Sequence, residues 1–144
     1  MSHDSQFPAC RSAAWQGMAE ATPDGGLALP QCPACAHLFY PPQRYCPRCL
    51  HDRISFRADS GAGVVLSVAL LHSTLVPAFV GRLPVHVAAV RLDAGVTLFA
   101  LADAMLPAGT RVAAWLDQHE DNAAGVLRVR RLLTDHENHD GGCA

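Results

Sequence analysis

Four cysteines carry the clearest chemistry in this sequence. They form two Cys-x-x-Cys pairs separated by ten residues, and the ligands in chain order are Cys32, Cys35, Cys46 and Cys49. A two-residue spacing lets one tight turn direct both thiols to the same side, and two such pairs supply the four sulfur ligands of a tetrahedral zinc site. Pro33 and Pro47 favour each turn because proline fixes a backbone dihedral. The pattern predicts a structural zinc site with no open coordination position for catalysis.

Other interpretations of these cysteines stay open at the level of sequence. A single pair would suit a redox dithiol, four thiols could form disulfides, and an iron site of rubredoxin type would use the same ligands. Zinc is favoured because a redox motif needs one pair and because rubredoxin-like spacing usually separates the pairs further. His37 lies next to the first pair, but four cysteines already complete a ligand set. For Cys10 and Cys143, near the chain ends, we expect idle surface thiols.

Length and composition set the broad class of protein. The chain has 144 residues, of which 50% are hydrophobic, and this suits one ordinary domain or two small modules and excludes global disorder. No apolar run reaches the length of a membrane span, and the first residues lack the pattern of a signal peptide. Because metal-bound thiols fit a reducing compartment, we expect a cytoplasmic protein.

Charge argues against a general nucleic-acid-binding protein. The net charge is −2, the pI is about 6.4, and all 11 basic residues are arginine. Arginines gather at 44–57, around the second cysteine pair, and at 128–131. Planar guanidinium groups suit phosphate oxygens, so both clusters are candidate anion sites, although solvated turns and strand edges would give the same pattern.

The rest of the chain must position these residues. Hydrophobic periodicity predicts one short helix over 11–21, and a turn at 23–26 follows it. Short extended runs are predicted at 38–40, between the cysteine pairs, and at 54–59, after them. Five longer strands are predicted at 64–72, 85–92, 96–102, 111–117 and 126–133. Together these signals predict a mainly β fold with an N-terminal helix, a rubredoxin-like zinc ribbon and a five-stranded OB-type barrel.

The predicted organisation divides the chain into four segments. They are an N-terminal segment at 1–26, the zinc ribbon at 27–53, the OB-fold barrel at 54–133 and a disordered tail at 134–144. Neither the ribbon nor the barrel is large enough to bury much surface alone, so we expect the two to share one interface.

The order of these signals resembles the zinc-ribbon plus OB-fold family once catalogued as a domain of unknown function and found beside thiolases and acyl-CoA enzymes. The resemblance covers about 11–133 and rests, besides the cysteines, on FYPPQR at 39–44, SGAGVV at 60–65 and PVHVAAVRLDAG at 84–95. Members usually carry glycine directly after each cysteine pair, where this chain has Ala36 and Leu50. We therefore expect the left-handed turn at these two positions to be relaxed or strained.

The resemblance implies a non-catalytic accessory subunit that binds a thiolase, a thiolase-like aldolase or a hydratase and helps to hold the coenzyme A thioester. Coenzyme A carries phosphates, so arginine and aromatic side chains of the ribbon are candidate contacts. These candidates are Phe39, Tyr40, Arg44, Tyr45 and Arg48. Ordinary packing over the metal module would explain the aromatic residues equally well. The helix around Trp15 and the loop at 76–80 are candidate partner surfaces.

Two other functions receive less support. Single-stranded nucleic acid would need aromatic and basic groups on the barrel, for which the candidates are Trp115, Arg111, Arg128 and Arg130. An enzyme in its own right would need a nucleophile or acid paired with a base, and no motif pairs His72 or His86 with such a group. We therefore expect any reaction of the assembled complex to be performed by the partner subunit.

Overall fold

The structure, a computed structural model, describes residues 12–75, 80–118 and 125–133. The predicted tail at 134–144, the two terminal cysteines and most of the loop at 76–80 lie outside these described residues. Within them, no helix is both long enough and apolar enough to cross a membrane.

The chain begins with the helix α1 (Ala13–Ala21). Ser12 caps it, because its side-chain oxygen accepts a hydrogen bond from the Trp15 N–H at 3.1 Å. Trp15 and Met18, three residues apart, lie on one face and are buried. Gly17 faces the ribbon so closely that an added Cβ would lie 3.2 Å from the ring of Phe56. The glycine that lowers helix propensity therefore allows the helix to approach its neighbour.

The metal-binding segment is framed by a two-stranded antiparallel sheet of β1 (Leu27–Gln31) and β2 (Ser55–Asp59). The sequence did not predict β1, because all four residues 27–30 are buried and the run contains Pro30, so it lacks strand alternation. The predicted strand at 38–40 was wrong, since only an isolated bridge joins Gln31 to Leu38. The extended run assigned to the barrel at 54–59 pairs instead with β1.

Five strands form a closed barrel in the spatial order β3-β4-β5-β7-β6. Neighbouring strands are antiparallel except β5 and β7, which are parallel. This order and its one parallel pair are those of an OB-type barrel, so the predicted fold class is confirmed. The strands are β3 (Ala62–Leu71), β4 (Val85–Leu92), β5 (Thr97–Ala102), β6 (Arg111–Asp117) and β7 (Val126–Arg131).

Two glycines allow the barrel to close where β3 begins. Gly61 has a φ of +73°, and a Cβ built there would lie 1.9 Å from the carbonyl oxygen of Ala114 on β6. A Cβ on Gly63 would lie 2.4 Å from the carbonyl oxygen of Arg91 on β4. Any side chain at either position would hold β3 away from one of its neighbours. The Ser-Gly-x-Gly stretch seen in the sequence is therefore a closure element.

One hydrophobic core joins the helix, the ribbon sheet and the barrel. Trp15, Met18 and Leu29 belong to the same buried cluster as the barrel residues Leu98 and Leu116. Backbone hydrogen bonds also cross this boundary, as the Leu116 N–H donates to the Gly26 carbonyl at 2.9 Å. The metal module is thus held by the barrel through buried apolar contacts and through the backbone.

Candidate metal centre and neighbouring surfaces

The four predicted ligands come together in space. Their Sγ atoms all lie within 4.8 Å of one another, at Cys32, Cys35, Cys46 and Cys49. The Sγ atoms of Cys32 and Cys49 are 3.5 Å apart, and those of Cys35 and Cys46 are 3.7 Å apart. A zinc ion with bonds of about 2.3 Å to four sulfurs has sulfur–sulfur edges of about 3.8 Å. The thiols therefore fit a tetrahedral, four-sulfur metal ion, and the all-protein ligand set makes its role structural.

Two turns of the same geometry present these thiols. In the first, the Ala36 N–H donates to the Cys32 carbonyl at 2.9 Å, and the Cys32 N–H donates to the His37 carbonyl at 3.0 Å. In the second, the Leu50 N–H donates to the Cys46 carbonyl at 2.9 Å, and the Cys46 N–H donates to the His51 carbonyl at 3.0 Å. Ala36 has a φ of 61° and Leu50 a φ of 63°. The left-handed conformation is thus retained and strained, not relaxed, because both positions carry a side chain.

The thiols of the second turn have displaced pKa values. Burial by itself raises the pKa of Cys46, but hydrogen bonds from the N–H groups of Cys49 and Arg48 lower it to about 7. The N–H of His51 lowers the pKa of Cys49, yet hydrogen bonding with the thiols of its neighbours, chiefly Cys32, outweighs this and raises it to about 12. Four adjacent sulfurs cannot all hold negative charge without a cation, which is what a bound zinc ion supplies.

Of the two aromatic candidates nearest the first turn, Phe39 is buried and Tyr40 is half-buried. Phe39 is only 5% exposed and stacks on His37 with ring centroids 6.1 Å apart. Tyr40 lines a small groove against the barrel together with Trp15 and Phe99. Packing within the chain is therefore what the positions of Phe39 and Tyr40 support, and Tyr40 lines a different groove from Arg44.

Arg44 lines a different and larger groove, which has a cavity volume of about 690 Å³. The α1 helix forms one wall through Ala14 and Gly17, and the other wall includes Ile54 and Phe56. Ile54 and Phe56 were not predicted as site residues, because their only signal in the sequence is their alternation in an extended run. We call this the α1–β2 groove. Its lining combines apolar residues with one guanidinium group, that of Arg44.

The remaining candidates of the ribbon lie on its outer surface. The Arg44 guanidinium lies 5.4 Å from the centroid of the Tyr45 ring, and Tyr45 is 47% exposed. Arg48, in the second metal turn, is also exposed. Arg44 thus lines the α1–β2 groove and contacts its chain neighbour Tyr45.

The three arginine candidates of the barrel, Arg111, Arg128 and Arg130, are engaged within the chain. Arg128 Nε donates to Asp117 Oδ2 at 2.8 Å, and the Arg111 fork donates to both carboxylate oxygens of Asp93 at 2.8 and 2.7 Å. The Arg130 guanidinium lies 5.5 Å from the centroid of the Trp115 ring. This surface therefore offers less free positive charge and less bare aromatic area than the sequence indicated.

A helix, a four-cysteine ribbon and an OB-type barrel in one chain define the class of zinc-ribbon plus OB-fold proteins. The family model for the ChsH2 rubredoxin-like zinc ribbon domain matches residues 19–55, which contain all four cysteines. No curated protein matches the sequence.

Two solved structures are similar to the chain over most of its length. One is from an Ltp2-ChsH2(DUF35) aldolase, with 25% identity and a TM-score of 0.69, covering 88% of this chain and 99% of the other. The second is a DUF35-family protein of unknown function from Sulfolobus solfataricus, with 17% identity and a TM-score of 0.48, covering 81% of this chain and 82% of the other. The ribbon match and the first structure confirm the family resemblance predicted from the sequence.

Proposed function

We propose that this chain is a non-catalytic accessory subunit of a thiolase-type acyl-CoA enzyme, with a thiolase-like aldolase or an acyltransferase as the partner. The observation that carries the proposal is the fold match to a chain of an Ltp2-ChsH2(DUF35) aldolase, which covers 99% of that chain. A second support is the metal site, because four protein ligands leave zinc no position at which to activate a substrate. We place this complex in the cytoplasm, where the four thiols stay reduced.

The zinc ion would act by holding the ribbon in one conformation. The loop between the two metal turns runs from 36 to 45 and includes Arg44 and Tyr45. With zinc bound, both ends of this loop are anchored, so these side chains lose little further entropy when they meet a ligand. The zinc would thereby prepare a binding surface without taking part in a reaction.

We further propose that the α1–β2 groove and its rim help to hold the coenzyme A thioester. Arg44 and Arg48 are both exposed and suit phosphate oxygens, while Tyr45 offers a stacking surface. The apolar lining near Ile54 and Phe56 suits the uncharged arm of the ligand. Since Phe39 is buried and Tyr40 is half-buried in a different groove, the proposed contacts are narrowed to Arg44, Tyr45 and Arg48.

The partner is tested by isolating the chain from its native cells and identifying what elutes with it on a sizing column. A stoichiometric thiolase-like or aldolase subunit is expected, and it would supply the reaction class. A chain that elutes alone, or with nucleic acid, would overturn the proposal.

The coenzyme A contact is tested in the reconstituted complex with Arg44→Gln. Loss of one charge-assisted hydrogen bond of about 1.5 kcal/mol should raise the KM for the acyl-CoA roughly tenfold with little change in kcat. Arg91→Gln, at an exposed arginine on β4 outside both arginine clusters, is the matched control and should leave KM unchanged. Equal KM values for both variants would remove Arg44 from the site.

Nucleic-acid binding is the less supported alternative. Its candidate groups Arg111 and Arg128 are held in ion pairs with Asp93 and Asp117, and the net charge is −2. A single-stranded oligonucleotide that binds with strong salt dependence would favour it.

A further inference from the structure

The strand β3 is paired on both sides only where it begins. Residues 62–64 pair with β6. On the same side, the Val65 N–H donates to the Thr110 carbonyl, and the Gly109 N–H donates to the Val65 carbonyl. Beyond Val65, β3 is paired only with β4, through register positions that continue to Leu71 and Val85. In the part of the chain that the structure describes, residues 66–71 thus have one edge whose backbone N–H and C=O groups have no strand partner. We name this stretch the β3 edge.

The β3 edge carries only one of the usual features that prevent unwanted pairing, a β-bulge where the stretch begins. Its sequence is LSVALL, with neither a charged residue nor a proline. Leu66, Leu70 and Leu71 are 42%, 40% and 42% exposed. One irregularity lies between Val65 and Ser67, at the start of the stretch, and leaves the remaining register regular. An exposed, regular and apolar edge is a surface that proteins normally cover.

The apolar character continues from this edge across the outer face of the barrel. Ser67 lies opposite Ala89, and Ala89 lies opposite Phe99 on β5. Directly opposed residues share one face of the sheet, and Phe99 is 66% exposed. On the next rung, Val87 stands between Ala69 and Leu101. Apart from Ser67, the residues of these two rungs are apolar across three adjacent strands.

We propose that the β3 edge binds an extended segment of the enzyme subunit as an added strand, with Phe99 packing against the same subunit. The inference rests on the proposed function. Unpaired backbone groups select a strand, because only a strand satisfies them in series. The absence of charge on the edge disfavours nucleic acid, which requires cations.

Size favours the enzyme subunit over a second copy of this chain. Six residues of strand span about 20 Å. A stable interface buries about 800 Å² on each partner, which a strand of this length cannot supply alone. A larger subunit can continue over the outer face to Phe99, whereas pairing of two β3 edges about a two-fold axis buries little beyond the strands themselves.

The test uses the full chain with the double substitution Leu66→Lys and Leu70→Lys. Both side chains are partly exposed, so the fold should persist, and this is checked by zinc content and circular dichroism. Capture of the enzyme subunit should weaken at least tenfold. The control is Leu75→Lys, a fully exposed leucine beyond the end of β3 at 102% relative exposure, which should bind as the wild type does.

The outcomes separate the two proposals. If wild-type chain captures no enzyme subunit, the proposed function itself falls, and the inference falls with it. If wild type and the double variant capture the subunit equally, the β3 edge is not the docking site and the proposed function stands. If wild type alone forms a dimer that the double variant abolishes, the occupant is a second copy and the inference is overturned.

Amide hydrogen exchange distinguishes an added strand from simple apolar docking. In the complex, every second amide between 66 and 71 should gain protection, because alternate N–H groups of a strand point to the same side. Uniform protection of the whole stretch, or none, would contradict strand addition.

Discussion

At the residue scale, the residue that follows each cysteine pair adopts a backbone conformation that its side chain disfavours. Ala36 and Leu50 hold the left-handed conformation with φ values of 61° and 63°. Each turn needs it so that the residue after the second thiol can donate back to the first cysteine's carbonyl. A Cβ in this conformation costs roughly 1–2 kcal/mol. Four metal bonds hold the chain in place and offset this strain.

Replacing Leu50 by glycine should therefore stabilise the zinc-loaded protein. The gain in free energy of unfolding should be about 0.5–1 kcal/mol, which is the relieved strain less the extra entropy of an unfolded glycine. Because Leu50 is 75% exposed, little packing is lost. Denaturant unfolding measures the gain. The control Leu75→Gly, at an exposed position without positive φ, should be neutral or destabilising. An equal effect of the two substitutions would contradict the strain argument.

Zinc binding should release protons and weaken in acid. The pKa of Cys49 is raised to about 12 by hydrogen bonding with neighbouring thiols, so this sulfur is protonated at neutral pH before metal binds. Zinc requires the thiolate, and protons therefore compete more strongly as the pH falls. Calorimetric titration of zinc in buffers of different ionisation enthalpy counts the protons released. Binding without proton release near pH 7 would contradict this description of the site.

At the element scale, barrel closure depends on backbone contact at the start of β3. Gly61 combines a positive φ with an approach to Ala114 that leaves no room for a Cβ. The Gly61 amide is itself held by the Asp59 carboxylate at 2.8 Å, which links the end of β2 to the first turn of the barrel. This turn therefore joins the ribbon sheet to the barrel.

The substitution Gly61→Ala should destabilise the protein by about 3 kcal/mol, because the methyl group would separate β3 from β6 and the backbone would be strained. Gly81→Ala is the matched control, since nothing lies within 4 Å of a Cβ there and its φ is not positive. It should change stability by less than about 0.5 kcal/mol. Thermal unfolding measures both. A mild effect at Gly61 would show that β3 can shift without cost.

The pair of Asp93 and Arg111 connects the β4–β5 hairpin to β6 and should make stability depend on pH. The hydrogen bond from Arg111 lowers the pKa of Asp93 below its ordinary 3.8. Its folded pKa is thus below the unfolded one, so the pair stabilises at neutral pH and this contribution is lost as the pH falls through the folded pKa. The effect is small because both side chains are exposed, at 40% for Arg111 and 57% for Asp93.

Asp93→Asn should remove this contribution. The free energies of unfolding of the variant and of the wild type should therefore differ at pH 6 and become equal at strongly acidic pH. Urea unfolding at several pH values measures the difference, and only the difference is informative because acid also releases zinc from both proteins. Asp103→Asn, at another exposed aspartate, is the control. A constant gap between wild type and Asp93→Asn at all pH values would contradict the expectation.

At the scale of the whole molecule, ribbon and barrel share one core. Trp15 and Leu29 on the ribbon side pack in the same cluster as Leu98 and Leu116 of the barrel. Loss of the metal should therefore affect more than the ribbon, because unfolding of the ribbon exposes apolar barrel surface.

Removing zinc with a chelator should lower the melting temperature of the entire protein, and Cys46→Ser should reproduce the effect. Metal binding and folding are coupled in sites of this kind. Circular dichroism of the β-sheet follows the barrel, while the fluorescence of Trp15, measured with Trp115→Phe so that only one tryptophan emits, follows the shared core. A chelated protein whose two signals melt as before would show that zinc is not structural.

Several features were determined by the sequence alone, because they depend on contacts near in the chain. Two Cys-x-x-Cys pairs predicted the metal centre, since each pair needs one local turn to direct its thiols. The helix and the five barrel strands followed from apolar periodicity, and their type and order are confirmed. Gly61 and Gly63 are also recognisable in the sequence as a motif, although the sequence does not show their role in closing the barrel.

Other features were decided by the tertiary structure, because they depend on which distant residues meet. Buried on both faces, β1 shows no alternation, and its pairing with β2 joins residues 24 or more positions apart. The same non-local packing turned Phe39 inward and placed Ile54 and Phe56 beside Arg44. Among the described residues, it also left 66–71 of β3 without a strand partner on one side. Local sequence specified the ligands and the elements, whereas the exposed surfaces available to a partner emerged only from the packing of elements distant in the chain.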